Sequence, residues 1–149
     1  MRAVVQRVKN SSVTVEERVT GQIGQGLMVL IGVEDGDTEK DAEYIAKKVS
    51  ALRVFDDEDG VMNRSVQDIG GEVLAVSQFT LLGDVRKGNR PSYFTAAKPE
   101  EADALYQKVI EQIRTRGIHV EEGVFQADML VSIENDGPVT ILLESHKLF

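Results

Sequence analysis

The chain has no cysteine and no tryptophan, only two histidines and three prolines, and no apolar stretch approaching the ~18–20 residues of a membrane-spanning helix. The missing cysteines exclude disulfides, thiol nucleophiles and cysteine-ligated zinc or iron–sulfur centres. His119 and His146 stand in different segments, and no HxxH or HExxH spacing exists, so a histidine-based zinc site has no support. The acidic run Asp56–Gly60 is a poor calcium loop. Setting Gly60 at the invariant glycine puts Phe55 at the first ligand position and Val66 at the bidentate one. Neither a metal nor a cofactor is expected. Phosphate-loop patterns are also absent, because Gly21–Gly26 precedes a strand rather than opening a helix and reads as a turn. There is no GxSxG elbow. His146, three residues from the C-terminus, reads as frayed, and His119, between Ile118 and Val120, as a strand surface residue. Conventional histidine base catalysis is therefore disfavoured. The opening MRAVVQRVKN lacks a signal-peptide core, so a soluble, cytoplasmic protein is expected.

The 149 residues suit one domain spanning 1–149, with roughly 68% of the unfolded surface buried on folding. The net charge of −8 argues against wrapping a duplex, which needs a broad basic face. Two segments run against the trend. Residues 1–10 carry Arg2, Arg7 and Lys9 with no acid, and residues 84–98 carry Arg86, Lys87, Arg90 and Lys98 against Asp84 alone. A small phosphate footprint on these two segments remains open.

Residues 3–8 and 12–15 alternate or are β-branched and read as strands, and 26–33 as a strand buried on both faces. Asp37 or Thr38 caps a helix, with Asp41 placed for a capping box and a core stripe of Ala42, Ile45, Ala46, Val49 and Leu52. Residues 52–55 read as a short strand and 57–60 as a turn. Residues 71–80 form a second buried strand, followed by a loop of about 16 residues and a helix that starts at Pro99. That helix turns Ala102, Leu105, Val109 and Ile113 inward and stops near Gly117. Strands follow at 120–125, 129–133 and 139–143. The fold class is α/β: compact, barrel-like β-sheet layers with two helices, arranged as a repeated unit of glycine, buried strand, capped helix and strand.

Two patches stand out. Ser77-Gln78-Phe79-Thr80 ends a buried strand with polar side chains, just before the basic loop. It reads either as a strand running into solvent or as a ligand wall at a strand end. Asn135-Asp136-Gly137-Pro138 reads as a turn before the final strand, and residue type alone favours an ordinary trans turn.

Taken with MRAVVQRV at the start and RPSY at 90–93, the motifs SQFTL at 77–81 and NDGPVT at 135–140 resemble the D-aminoacyl-tRNA deacylase family over the whole chain. Departures are small: Tyr93 stands where the family often has Phe, and Gln126 where a small residue is common. The resemblance implies a metal-free homodimer that hydrolyses the ester between a D-amino acid, or glycine, and the 3′-terminal adenosine of tRNA. It implies that Gly137-Pro138 is cis and enters the partner's active site, where its carbonyls fill the space an L-side chain needs. Arg7 and Asn135 are then expected to support that motif. Ser77, Gln78, Phe79 and Thr80 are expected to form the catalytic wall, with backbone N–H groups near Phe79 and Thr80 stabilising the oxyanion. Ala102, Phe125 and Met129 are expected to complete the pocket, although Ala102 and Met129 also suit plain core positions. No base is visible to activate Thr80 as a nucleophile, so substrate-assisted attack of water is the simpler expectation. The alternative is a non-catalytic dimer that binds RNA ends or nucleotides.

Overall fold

A computed structural model describes residues 1–149. Its spine is one long strand, β1 (Arg2–Val15), where the sequence pattern suggested two. Strand β8 (Leu130–Glu144) runs antiparallel along one edge of β1. Along the other edge lie β3 (Gly26–Gly32), opposite residues 2–8, and then β2 (Arg18–Ile23), opposite residues 11–15. The sequence reading had placed a turn within β2. That segment is short, with adjacent Gly21 and Gln22 that favour strand weakly, so its strand character comes from pairing with β1 rather than from propensity.

The sheet continues from β3 to β6 (Glu72–Ser77) and β7 (Val120–Glu122), all parallel. Two helices make the crossovers, α1 (Glu39–Ala51) and α2 (Pro99–Arg114), and they pack against each other. A small hairpin, β4 (Phe55–Asp56) with β5 (Met62–Arg64), follows α1, so the predicted strand at 52–55 shrinks to its last residue and the next. The sheet curls until Gly21 of β2 meets the carbonyl of Glu122 in β7, which nearly closes a barrel. Neither helix is long and apolar enough to cross a membrane.

Parallel strands are covered on both faces, which explains the continuous apolar runs in β3 and β6. Leu27, Val29, Ile31, Val73 and Ala75 face the helices and join the larger core, with Ile45, Val49, Tyr106, Val109 and Ile110. Met28, Leu74 and Val76 face the barrel interior and pack with Val8, Val13 and Ile23. Tyr106 and Ile110 belong to the core face of α2, whereas Leu105 is only half-buried. The β3–β6 pairing is unusually close at Gly26, where a Cβ would lie 1.8 Å from the carbonyl oxygen of Glu72. Only glycine fits there.

At the opposite corner the α-amino group of Met1, fully buried, pairs with the buried Asp37 at 2.8 Å and donates to Ser145 Oγ. His146 is anchored rather than frayed, because its Nε2 lies 3.0 Å from the other oxygen of Asp37. Glu34, Asp41 and Glu144 complete this cluster, and His146, the Met1 amine and backbone amides supply its positive partners.

The hydrogen bond to Asp37 raises the His146 pKa above its ordinary value, and nearby Asp41 adds to the rise against opposition from partial burial and the Met1 amine. A raised folded-state value means that the protonated imidazole stabilises the fold fully below the unfolded pKa, and that the contribution fades as pH rises through the folded one. The stability difference between wild type and His146→Gln, read from urea midpoints, is therefore expected to be largest below the ordinary imidazole pKa of 6.5 and to shrink as the pH is raised above it.

Candidate active site

Parallel strands β3 and β6 end side by side, and a cleft of about 770 Å³ opens beyond their C-terminal ends. One wall is Val76 and Ser77 of β6 and the segment after it. The strand stops at Ser77. Residues Phe79–Leu82 form a single 3-10 turn, where the sequence pattern predicted strand through Thr80. The change of course is anchored by Gln78, whose N–H donates to Ile31 O at 2.7 Å, and by Arg2, whose guanidinium donates to Leu81 O at 2.9 Å. The first amides of a helical turn, here those of Phe79 and Thr80, have no acceptor within it and remain available to a ligand.

The opposite wall is the N-terminal turn of α2, through Pro99 and Ala102, and the stretch carrying Phe125, Gln126, Ala127, Met129 and Val131. Thus Ser77, Gln78, Phe79, Thr80, Ala102, Phe125 and Met129 are brought together around one cleft. Phe125 is braced from behind by the buried Tyr106, with ring centroids 6.3 Å apart. Tyr106 donates its hydroxyl to Ala75 O at 2.8 Å, and burial, reinforced by Glu122, pushes its pKa up. It is a fixed strut, not a proton donor to the cleft.

Sequence reasoning missed Tyr93, Ala96, Ala97 and Gln126 as lining residues. Tyr93 meets Phe79 edge to face at 5.1 Å and so sets the position of an otherwise exposed ring. Gln126 has φ 64°, a conformation costly for most side chains. The polar side chains of the cleft are hydroxyls and amides only. No histidine, carboxylate, lysine or arginine lines it. Gln78 Nε2 donates to Thr80 Oγ1 at 2.9 Å, so the one hydroxyl read as a possible nucleophile is held by an amide and not by a base.

Gly137 and Pro138 lie elsewhere. They do not form a turn preceding a strand, as their residue types suggested; they bulge from the middle of β8. Gln6 pairs with Thr140 and Val8 with Asn135, so Arg7 alone stands opposite residues 136–139. The Gly137–Pro138 peptide is cis. Arg7 Nε donates to Asp136 O at 3.1 Å and approaches the Asp136 carboxylate at 3.4 Å, while its other arm donates to Val54 O at 2.7 Å. A Cβ on Gly137, whose φ is 120°, would sit 3.0 Å from that same guanidinium. Asn135 is exposed on β8, and no residue beyond Val131 lines the cleft. Within one chain, then, the bulge and the cleft are separate features.

A lysine cannot make both arms of the Arg7 contact. Arg7→Lys is expected to lower stability by about 1–2 kcal/mol, measured by urea denaturation, because a half-buried carbonyl loses its donor.

These features can be set beside known proteins. A family model described as D-Tyr-tRNA(Tyr) deacylase matches residues 4–144. Proteins named D-aminoacyl-tRNA deacylase from Desulfitobacterium hafniense and Koribacter versatilis are 59% and 60% identical over 149 residues, covering all of this chain and all of theirs. A relative of the same name from Thermotoga petrophila is 58% identical over the same span. Among solved structures, the c-Myc DNA Unwinding Element Binding Protein superposes with a TM-score of 0.90 at 45% identity, covering 97% of this chain and 98% of that one. A probable eukaryotic D-amino acid tRNA deacylase, 19% identical and with a TM-score of 0.81 over 95% of this chain and 97% of its own, shares the fold. On the strength of that full-length match, the chain belongs to the D-Tyr-tRNA(Tyr) deacylase family, a family of hydrolytic enzymes.

Proposed function

We propose that the chain hydrolyses the ester joining a D-amino acid, or glycine, to the 3′-terminal adenosine of tRNA, and that it works as a homodimer. The observation that carries this reading is the chemistry of the cleft: apolar walls, hydroxyls and amides, and no general base. Such a site suits a substrate that is already activated. An aminoacyl ester is reactive, and the vicinal ribose hydroxyl can guide an attacking water. Water adds to the ester carbonyl, the developing oxyanion is received by the amides at Phe79 and Thr80, and the bond to the ribose oxygen breaks as that oxygen takes up the proton. Ser77 and Gln78 position the terminal ribose and base, and Phe125, Ala102 and Met129 shape the rest of the pocket.

Stereochemical selection is assigned to the Gly137-Pro138 bulge of a second subunit. It is exposed on β8, whose outer edge has no partner within the chain and which shows Leu130, Ile133 and Leu142 to solvent. Two-fold pairing on this face would exchange the same two patches and build two equivalent sites. A wall of backbone carbonyls then collides with an L-side chain and leaves a D-side chain or a hydrogen free.

The test is single-turnover hydrolysis of D- and L-tyrosyl-tRNA in EDTA. Release of D-tyrosine is expected to be faster by at least about a hundredfold, and Thr80→Val is expected to retain most of the rate. Equal rates for the enantiomers would remove the steric wall. Binding of both without turnover would favour the non-catalytic RNA-end dimer. A mixing experiment probes the shared site. One chain is disabled at Ser77–Thr80 and the other at Gly137-Pro138, so each heterodimer holds one site with both defects and one with neither. Selective activity is expected to reappear in about half of the heterodimer sites, and its absence after confirmed subunit exchange would rule out sharing.

A further inference from the structure

Of the two basic segments, the first is largely consumed by the fold. Arg2 is tied to Leu81 O and Arg7 to Asp136 and Val54. The second is not. Residues 84–95 form a surface hairpin closed at its base by reciprocal Asp84–Ser92 backbone hydrogen bonds of 2.8 and 2.9 Å. Its far end is fastened to the segment after β3 by Asp35 N–H to Thr95 O and Ala97 N–H to Val33 O. The hairpin encloses a second, shallow cleft of about 450 Å³, lined among others by Arg86, Lys87, Arg90 and Phe94. Arg86 is already engaged, because it grips Asp84 with both its Nε and a terminal nitrogen. Neither Lys87 nor Arg90 makes an ion pair, in a chain whose net charge is −8, although the Asp84 carboxylate also lines the cleft and feels the charge of Lys87. Phe94 beside them is 92% exposed.

The two clefts share a wall. Tyr93 and Ala96 line the cleft at the strand ends, while Ser92, Phe94 and Thr95 line the basic one. A ligand that left the first cleft and crossed over this segment would reach the second. Free cations beside an exposed aromatic face are the recognition chemistry of single-stranded nucleic acid, in which the phosphates meet the charges and a base stacks on the ring.

We propose that the 84–95 hairpin is a subsite for the unpaired cytidines that precede the terminal adenosine of the substrate, with Lys87 and Arg90 taking their phosphates and Phe94 stacking a base. This rests on the deacylase reading above and extends it from the terminal residue to the strand behind it. What sets Phe94 apart from the chain's other exposed apolar residues is its place beside Lys87 and Arg90, and the hydrogen bonds that close the hairpin order the site before the ligand arrives.

The test compares three substrates that differ only in length: 3′-D-aminoacyl adenosine, the D-aminoacyl cytidylyl-cytidylyl-adenosine trinucleotide, and D-aminoacyl-tRNA. Phe94→Ala is expected to lower kcat/KM about tenfold on the trinucleotide and on tRNA, and Phe94→Trp to restore it. The loss on the adenosine ester is expected to be at least about fivefold smaller. Lys87→Ala and Arg90→Ala are expected to show the same substrate pattern and to flatten the log–log salt dependence by ~0.7 per charge removed. Since these side chains are exposed, circular dichroism should show unchanged folding in all four variants. Equal losses on all three substrates would mean that the hairpin acts through Tyr93 and Phe79, and would overturn the subsite. Loss confined to tRNA would place the contact on the paired stem and overturn it as well, as would no loss anywhere. Wild-type protein inactive on every substrate would instead strike the deacylase reading itself.

Discussion

The parallel pairing of β3 with β6 is the constraint on which the rest of the structure depends. It runs from Gly26 opposite Glu72 to Ile31 opposite Ser77, and both strands finish at the same level. Because parallel neighbours need crossovers, this pairing requires α1 and the following β6–β7 pairing requires α2, and the apolar stripes of the two helices become the larger core. Because the strands end together, the chain leaving β6 must bend at once, and Ile31 O captures the Gln78 amide as it does so. The 3-10 turn, the α2 N-terminus and the Phe125 segment then converge on one opening. The whole register is set at its start by the missing Cβ of Gly26, which lets the two backbones approach.

What this opening contains is as informative as what it excludes. Catalytic clefts usually gather titratable groups whose environments displace their pKa values. The shifted groups of this chain lie elsewhere, among them His146 beside Asp37, Asp84 under Arg86, and Tyr106 buried behind the Phe125 wall. Each has a structural explanation in a named partner or in burial. That absence agrees with the proposed hydrolysis, in which orientation and preorganised dipoles take the place of a general base.

Much of the framework was legible in the sequence, because the relevant signals are local. Buried runs flanked by glycine mark β3 and β6, and the Thr38/Asp41 and Pro99 signals place the helix starts where the structure has them. The Ser77–Thr80 wall could be noticed because polar residues interrupt an apolar run, but its bend could not, since Ile31 O and Arg2 are supplied by distant segments. β2 was hidden for a similar reason: its ordering comes from β1. The Gly137-Pro138 bulge reads locally as an ordinary turn, and only pairing on both sides of it with β1 reveals a single strand. Tyr93 as a brace for Phe79 likewise depends on a loop folding back, which no periodicity announces.

The bulge on β8 has a consequence for the solution behaviour of the chain. A fifteen-residue edge strand carrying Leu130, Ile133 and Leu142 in the open would ordinarily invite other strands to pair edge to edge and grow into fibres. Here the row of donors and acceptors is broken near its centre, because Pro138 has no N–H and residues 136–139 swing out of line with the neighbours on either side. Glu134 and Asp136 add charge at the same place. An incoming strand of arbitrary sequence would find only short stretches on which to register. Keeping a long β edge from templating aggregation is thus a duty of this segment separable from the stereochemical role proposed for it.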